Sequence, residues 1–185
     1  MTRLGRLREL RDARGHVAAV ARARWRLRAV DQLGPMVRLW GGVRVVNHGR
    51  LIIGERVRLI GHIAPIELVS GPGATLDIGE RTFINVGVSV AATERITIGA
   101  SCQLGPHCMI MDNSYHHIEP ERRNEVPPSV PVSIGDNVWL GARVIVLPGT
   151  TIGDGSVIGA GSVVNGNIPA RSLAAGLPAK VIRSI

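Results

Sequence analysis

Aromatic side chains are scarce in this 185-residue chain, which has one phenylalanine, one tyrosine and three tryptophans although 45% of its residues are hydrophobic. A globular core normally uses more large rings, so this composition favours a narrow interior over a core of ordinary shape. No apolar run approaches the roughly 18 residues of a membrane-spanning helix. The N-terminus has no signal-type hydrophobic stretch, so we expect a cytoplasmic protein.

Acidic residues are also scarce at the N-terminus, where residues 1–38 hold ten arginines against Glu9, Asp12 and Asp31. Residues 39–185 hold twelve basic and eleven acidic side chains, so the net charge of +8 is concentrated in the first segment. We therefore predict an arginine-rich, helical N-terminal segment over 1–38 and a nearly neutral domain over 39–185.

A six-residue repeat dominates that domain. An aliphatic residue stands at every sixth position from Ile134 to Val164, and the same spacing occurs over 53–59, 78–90 and 98–110. A period of six fits neither an α-helix nor an ordinary alternating strand, but it is typical of a parallel β-helix with one inward aliphatic per short strand. We predict an all-β solenoid of about five coils on three walls, which begins near residue 53.

Small residues recur within the same repeat. The fourth residue after each aliphatic is usually small or β-branched, as a narrow interior requires. Cys102 and Cys108 occupy this position in adjacent hexads, and therefore on different walls, so we interpret them as core residues rather than a disulfide or a metal pair. The glycines, Asn85 and Asn165 are predicted at the corners because these residues tolerate a positive φ.

The arginine-rich segment is predicted to be helical over residues 3–33, with a break near Gly15 and an end at Gly34 and Pro35. Such a helix caps the open end of the solenoid, or it presents its arginines and Trp25 to an anionic membrane surface or an acidic partner. No fold typical of nucleic-acid recognition accompanies the basic charge, so we expect no nucleic-acid partner.

The longest interruption of the repeat runs from Asp112 to Pro131 and is polar. We predict that residues 112–131 leave the coil as an extruded loop, because loops on a rigid scaffold commonly carry function. The stretch from 167 to 185 breaks the hexad with two prolines, and it is predicted to close the last coil and to extend onto a neighbouring chain.

Four segments carry a family resemblance. They read HHIEP at 116–120, VSIGDNVWLG at 132–141, LPGTTIG at 147–153 and AAGLPAKVIR at 174–183. In them the chain resembles the hexapeptide-repeat acyltransferases, most of all the maltose/galactoside O-acetyltransferase group. The resemblance covers roughly residues 75 to 185 and is absent from the arginine-rich segment. It implies a left-handed coil, against the usual right-handed crossover rule, a homotrimer with each active site between two subunits, and acetyl-CoA or another acyl-CoA as donor.

The resemblance also implies a catalytic base, His116. Acyl transfer from a thioester needs a base that takes the proton of the acceptor, and the histidine side chain, whose ordinary pKa is about 6.5, suits this role. His117 stands where relatives often have proline, so it is less suited. For acceptor binding the resemblance points to Asn85 and Trp139. Asp112 either contacts the acceptor or orients a histidine.

Plain structural alternatives exist for these three residues. They are a corner position for Asn85, a contact between subunits for Trp139 and a loop-opening role for Asp112.

For the acyl donor, the resemblance carries over six positions: Ala142, Ala160, Asn165, Gly166, Lys180 and Arg183. Ala142 and Ala160 are one coil apart, so their small side chains lie one above the other and allow pantetheine to approach. Lys180, the only lysine in the chain, and Arg183 are cations suited to the nucleotide phosphates. Relatives often have serine at 142 and Thr-Lys at 165–166, so one hydrogen bond and one phosphate contact are absent here.

These observations favour a CoA-dependent acetyltransferase, without a metal, that acts on a hydroxyl of a sugar or glycan-type acceptor. A peripheral contact of the basic segment with the inner face of the membrane is a further expectation. Three alternatives stay open: N-acetylation of an amino sugar or xenobiotic, a non-catalytic scaffold, and a β-helix carbonic anhydrase. The last would need His107, His116 and His117, which are poorly spaced for one metal.

Overall fold

The computed structural model describes the backbone of residues 3–185 and the side chains from residue 15 onward. A helix, α1, spans Arg3–Arg26. The strands are β1 (Gln32–Leu33), β2 (Arg38–Asn47), β3 (Arg50–Ile53), β4 (Arg58–Ser70), β5 (Thr75–Ile78), β6 (Phe83–Ile84), β7 (Ser89–Ala92), β8 (Arg95–Ile98), β9 (Gln103–Leu104), β10 (Met109–Met111), β11 (Val132–Ile134), β12 (Trp139–Leu140), β13 (Ile145–Val146), β14 (Thr151–Ile152), β15 (Val157–Ile158), β16 (Val163–Val164), β17 (Asn167–Ile168), β18 (Ser172–Gly176) and β19 (Ala179–Ser184). A 3₁₀ turn, Pro120–Arg122, lies between β10 and β11.

The strands build a parallel β-helix with three walls. Wall A is a seven-stranded sheet in the order β1-β3-β5-β8-β11-β14-β17. Wall B contains the first part of β2 and of β4, followed by β6, β9, β12, β15 and β18. Wall C contains the second part of β2 and of β4, followed by β7, β10, β13 and β16. The predicted all-β solenoid is therefore confirmed.

The seven strands of wall A correspond to seven turns, so the predicted count of five was too low. The β-helix begins at β1, well before residue 53, and its first turn starts within the arginine-rich segment. The early turns lack the hexad because β2 and β4 are 10 and 13 residues long and continue round the corner between walls B and C. Apolar residues in such long strands do not recur every six positions.

The inward positions of the hexad form one continuous core. Every aliphatic predicted to point inward is at most 2% exposed, and the set comprises Ile53, Leu59, Ile78, Ile84, Val90, Ile98, Leu104, Ile110, Ile134, Leu140, Val146, Ile152, Ile158 and Val164. The hydroxyls of Thr82, Ser156 and Ser162 are buried beside them and donate to corner carbonyls. Each of these three buried hydroxyls therefore has the partner that its burial requires.

Cys102 and Cys108 are free, buried thiols, as predicted. Their Sγ atoms lie 3.1 Å from the carbonyl oxygens of Gly135 and Gly141. Burial raises the pKa of each thiol to about 11, so neither is a thiolate near neutral pH.

The glycines that follow the inward aliphatics allow successive turns to stack closely. The prediction that they occupy the corners because of a positive φ was wrong. Neither these glycines nor Asn85 and Asn165 have a positive φ. The left-handed conformation occurs two residues later, for example at Arg56, and also at Gly155 and Gly161, where the predicted positive φ of glycine is confirmed. A Cβ atom on Gly141 would lie 2.6 Å from the backbone nitrogen of Ala160 in the next turn. Successive turns thus approach too closely at this corner for any side chain.

Helix α1 differs in length from the prediction. It runs unbroken through Gly15 and ends at Arg26, seven residues before the predicted end at 33. The peptide group of glycine continues the helical hydrogen bonds, so a single glycine does not interrupt the helix. Ala19, Ala23 and Leu27 are fully buried at a spacing of four, and the last two belong to the solenoid core. α1 therefore packs on the first turn, where the capping hypothesis places it.

The other end of the β-helix is closed by an antiparallel hairpin of β18 and β19. The extension of this segment onto a neighbouring chain stays a prediction. Among the residues that the structure describes, no helix combines the length and the apolar character needed to cross a membrane.

The stacking of inward aliphatics predicts a large effect of Ile152→Ala, which removes a fully buried side chain from β14. We expect a loss of about 2–5 kcal/mol in the free energy of unfolding, measured by chemical denaturation. The control is Thr151→Ala in the same strand, whose side chain is exposed, with an expected change within about 0.5 kcal/mol. Equal effects of the two variants would contradict the assignment of the core face.

Candidate active site

A groove of about 580 Å³ runs along wall B and its corner with wall C. Its floor consists of outward positions that stack from turn to turn. One column comprises Phe83, Gln103, Trp139 and Val157, each of which directly precedes an inward aliphatic. Beside it, Asn85, Gly105, Gly141 and Gly159 form a second column. The glycines leave an open channel next to the first column.

Four of the predicted site residues line this groove: Asn85, Trp139, Ala142 and Ala160. Trp139 is 53% exposed, in agreement with its predicted outward position. Ala142 and Ala160 lie in successive turns, since Gly161 donates its backbone N–H to the carbonyl oxygen of Ala142 at 2.8 Å. The structure therefore brings residues predicted for the acceptor and residues predicted for the donor into one groove.

Asn85 marks the end of the groove that is nearer the N-terminus. Its Oδ1 accepts a hydrogen bond of 2.8 Å from the backbone N–H of Val86, which fixes the orientation of the carboxamide. Its Nδ2 has no acceptor among the side chains and backbone groups that the structure describes. The amide therefore offers a donor to a molecule bound in the groove.

The remaining four predicted donor residues fall into two pairs. Lys180 and Arg183 are exposed on β19, where Arg183 pairs with Leu173 at the C-terminal end of the groove. Asn165 and Gly166 follow β16 at the corner between walls C and A, away from the groove of their own chain.

Asp112 is completely buried at the base of the 112–131 loop. Its Oδ1 accepts hydrogen bonds from the backbone N–H (2.8 Å) and the hydroxyl (2.7 Å) of Thr93. Its Oδ2 accepts from the backbone N–H groups of Glu94 (2.8 Å) and Arg95 (2.7 Å). These contacts support the loop-opening role. Neither carboxylate oxygen of Asp112 is exposed, so the side chain cannot make the predicted contact with the acceptor.

Asn113 is a second loop anchor that the sequence analysis missed. It is 2% exposed, its Nδ2 donates to the carbonyl of Pro127 and the hydroxyl of Ser129, and its Oδ1 accepts from the backbone N–H of Tyr115. The two ends of the loop are thus tied together, so the loop leaves the β-helix with a defined base. A buried asparagine inside a polar run gives no pattern by which the sequence alone distinguishes it.

His116 is exposed on this loop and has a defined tautomer. Its Nδ1 lies 2.8 Å from the carbonyl oxygen of Arg123. Because a carbonyl only accepts, Nδ1 carries the hydrogen, and the Nε2 of the neutral ring is left as a proton acceptor.

His117 differs from His116 in this respect. The side chain is only 14% exposed and its Nδ1 lies 3.7 Å from Glu119. Its Nε2 lies 3.1 Å from an N–H donor of Arg122, which occupies the accepting nitrogen. Nε2 of His117 is therefore already bound by a donor, whereas no described group donates to Nε2 of His116.

The loop and the groove lie on different edges of one chain. The loop leaves wall C after β10 and returns on wall A at β11, whereas the groove lies on wall B and its corner with wall C. His116 does not line the groove of its own chain.

Sequence reasoning missed Phe83, Gln103, Pro106 and Leu173, which also line the groove. The hexad contained the signal for Phe83 and Gln103, since both stand directly before an inward aliphatic and so share the column of Trp139. Among the described residues, no three potential metal ligands lie close enough to hold an ion.

Comparisons of sequence place the chain among transferases. The bacterial transferase hexapeptide model (six repeats) matches residues 131–166. SAR2635 of Staphylococcus aureus (strain MRSA252), a presumed acetyltransferase by its name, is 43% identical over 169 residues, covering 75% of this chain and 85% of that protein. Galactoside O-acetyltransferase of Escherichia coli (strain K12) is 38% identical over 113 residues, covering 61% of this chain and 56% of that protein. The chain thus spans little more than half of this last relative.

Two solved structures extend the comparison. The hexapeptide-repeat acetyltransferase VCA0836 of Vibrio cholerae, in complex with acetyl-CoA, has a TM-score of 0.62 and 29% identity over 86% of this chain and 73% of that chain. A perosamine N-acetyltransferase variant of Caulobacter crescentus, in complex with CoA and GDP-perosamine, has a TM-score of 0.56 and 26% sequence identity. The match covers 80% of this chain and 57% of that chain.

The four hydrogen bonds to its carboxylate predict that Asp112→Ala destabilises the base of the loop. Three backbone N–H groups and one hydroxyl lose their charged acceptor, so we expect the free energy of unfolding to fall by about 3 kcal/mol or more. Tryptic cleavage after Arg122 or Arg123 should accelerate at the same time. The control is Asp77→Ala, an outward carboxylate on wall A. Unchanged stability and proteolysis of the Asp112 variant would contradict the anchoring role.

Proposed function

The chain belongs to the hexapeptide-repeat transferase family, and from this membership we propose that it transfers an acetyl group from acetyl-CoA to a hydroxyl of a sugar or glycan-type acceptor, with His116 as general base. The observation that carries the proposal is the single groove that joins Asn85 and Trp139 to Ala142 and Ala160. The acetyl-CoA complex of VCA0836 supports the choice of donor.

The groove suits an extended thioester. It spans the turns from Asn85 to Leu173, four steps of about 4.8 Å or about 19 Å in all. Pantetheine can lie on the glycine column, where backbone groups are within reach of its amides. The exposed cations Lys180 and Arg183 at the C-terminal end suit the nucleotide phosphates. This direction places the acetyl group beside Asn85.

The predicted site residues divide between two edges of the prism. The groove holds Asn85, Trp139, Ala142 and Ala160, while the corner of walls C and A holds His116, Asn165 and Gly166. A closed threefold assembly can place this corner of one subunit against the groove of the next. This division supports a homotrimer in which each site uses two subunits.

The proposed reaction follows from these positions. The acceptor hydroxyl attacks the thioester carbonyl while Nε2 of His116 takes its proton, which contributes roughly 10²–10⁴-fold in rate. Nδ2 of Asn85 donates to the carbonyl oxygen as negative charge develops there. The C–S bond then breaks, and the proton passes from the imidazolium to the departing CoA sulfur.

An amine acceptor is the second candidate. The similarity to the perosamine N-acetyltransferase favours it, because that enzyme shares the fold and also binds CoA. Assays of the purified protein with acetyl-CoA and matched hydroxyl and amino sugars separate the two reactions. Absence of both turnover and CoA binding would favour the scaffold alternative.

Contact of the basic segment with an anionic membrane surface stays a prediction. The features that support it are the exposed side chains of Val17 and Trp25, with the Arg26 guanidinium 4.8 Å from the centre of the Trp25 ring.

The role of His116 predicts that His116→Ala lowers kcat/KM for acetyl transfer by about 10²–10⁴-fold. The KM for acetyl-CoA and the thermal stability should not change, because the side chain is exposed. Release of CoA, followed with a thiol reagent, measures the rate.

Two control variants accompany this measurement. His117→Ala should lose less activity, because its accepting nitrogen already binds Arg122. His48→Ala, exposed before β3, should retain full activity. Wild-type turnover by the His116 variant would eliminate it as the base.

The division of the site between subunits predicts complementation. His116→Ala removes the base, and Ala160→Trp fills the groove, so each variant alone should be inactive. When the two variants are co-expressed at equal levels, about half of the loops and about half of the grooves in the mixed trimers are intact. About a quarter of the contacts between subunits then join an intact loop to an intact groove, so about a quarter of the wild-type activity should be recovered. Mixed trimers without activity would show that loop and groove do not cooperate between chains.

A further inference from the structure

A row of arginines continues the floor of the groove towards the N-terminus. Phe83 pairs in register with Arg58 of β4, and Arg58 pairs with Arg38 of β2. Because neighbouring strands are about 4.8 Å apart, Arg58 lies one turn and Arg38 two turns beyond Phe83. Both arginines thus extend the Trp139 column past Asn85, at the end opposite to Lys180 and Arg183.

Aromatic rings, rather than carboxylates, hold these two side chains. The Cζ atom of Arg58 lies 5.0 Å from the ring centre of Phe83, a residue that lines the groove. The Cζ atom of Arg38 lies 6.0 Å from the ring centre of Trp40. Cation–π contacts orient a guanidinium but leave its charge uncompensated.

Other arginines of the β-helix do have acidic partners. Arg44 pairs with Glu67, Arg56 with Glu55 and Arg81 with Glu80. Among the described side chains, no carboxylate lies within ion-pair distance of Arg38 or Arg58.

Arg38 also carries an unsatisfied polar atom. Its Nε is buried and has no hydrogen-bond partner among the described residues. A third guanidinium comes from α1, where Arg22 donates to the carbonyl oxygen of Leu39 at 3.1 Å. Like charges at paired strand positions repel, and a buried donor without a partner costs free energy. A bound anion would relieve the repulsion between the paired arginines.

We infer that the acceptor carries an anionic group, a phosphate or a carboxylate, that binds Arg58 and Arg38 while its reacting hydroxyl lies at Asn85. The inference rests on the proposed function, since it takes the Asn85 end of the groove as the acceptor end. One turn separates Arg58 from Phe83, and that distance is comparable to the width of a single sugar ring. Guanidinium groups match the planar, bidentate geometry of both anions.

The experiment compares three acceptors: galactose 1-phosphate, galacturonic acid and methyl galactoside. Calorimetry measures their binding to the full chain saturated with CoA, and the thiol assay measures acetyl transfer to each. The variants are Arg58→Gln and Arg38→Gln. Arg50→Gln is the control, since Arg50 is exposed at the start of β3 on wall A, in the same turn as Arg58.

The wild-type chain should bind at least one charged sugar roughly tenfold or more tightly than methyl galactoside. Arg58→Gln and Arg38→Gln should each remove most of that preference, while Arg50→Gln, CoA binding and the weak binding of methyl galactoside stay unchanged. The comparison of galactose 1-phosphate with galacturonic acid identifies whether a phosphate or a carboxylate is preferred.

Equal binding of charged and neutral sugars, or a preference that survives both substitutions, would overturn the inference of an anionic acceptor. Loss of CoA affinity in Arg58→Gln would also overturn it, because Arg58 would then belong to the donor site. Failure of the wild-type chain to bind CoA would contradict the proposed function instead. If the preference for charged sugars depends on Arg58 but no acetyl transfer occurs, the anion site is supported and the proposed reaction is wrong.

Discussion

The close stacking of successive turns is the constraint on which the rest of this structure depends. Each turn places one aliphatic on the axis at each wall, and the next turn lies directly above it at the spacing of hydrogen-bonded strands. At the corners where a glycine follows the aliphatic residue, as at Gly141 beneath Ala160, the approach of the next turn leaves no room for a side chain. The interior is consequently too narrow for large rings, which explains why the chain has so few.

Stacking also determines what the outer surface can do. Residues one turn apart in sequence become neighbours in space, so a functional surface is built as columns instead of as a cavity. The column through Phe83, Gln103 and Trp139 forms one side of the groove, and the glycine column forms its channel. The same register continues to Arg58 and Arg38. A long, thin ligand fits such a surface, and its two ends meet different chemistry.

The hexad allowed the walls, the inward residues and the neighbourhood of Ala142 and Ala160 to be predicted, because these depend only on position within a period. The first turns escaped prediction, since the long strands β2 and β4 continue round a corner and follow a different pattern. The roles of Asp112 and Asn113 also escaped it. Their partners, at 93–95 and 127–129, are distant in sequence and are brought close only by the path of the loop. The tautomer of His116 likewise depends on Arg123, which no periodicity identifies.

The central claim is that a thioester lies in the groove of one subunit and meets the imidazole of another. The most direct test is a crystal structure of the assembled protein with acetyl-CoA and a bound acceptor. We expect the acetyl group beside Asn85, the nucleotide beside Arg183, and the neighbouring subunit's loop directed at the thioester. The acceptor hydroxyl should then lie about 2.6–3.2 Å from Nε2 of His116. Acetyl-CoA bound elsewhere, or a His116 ring remote from every groove in the assembly, would contradict the account.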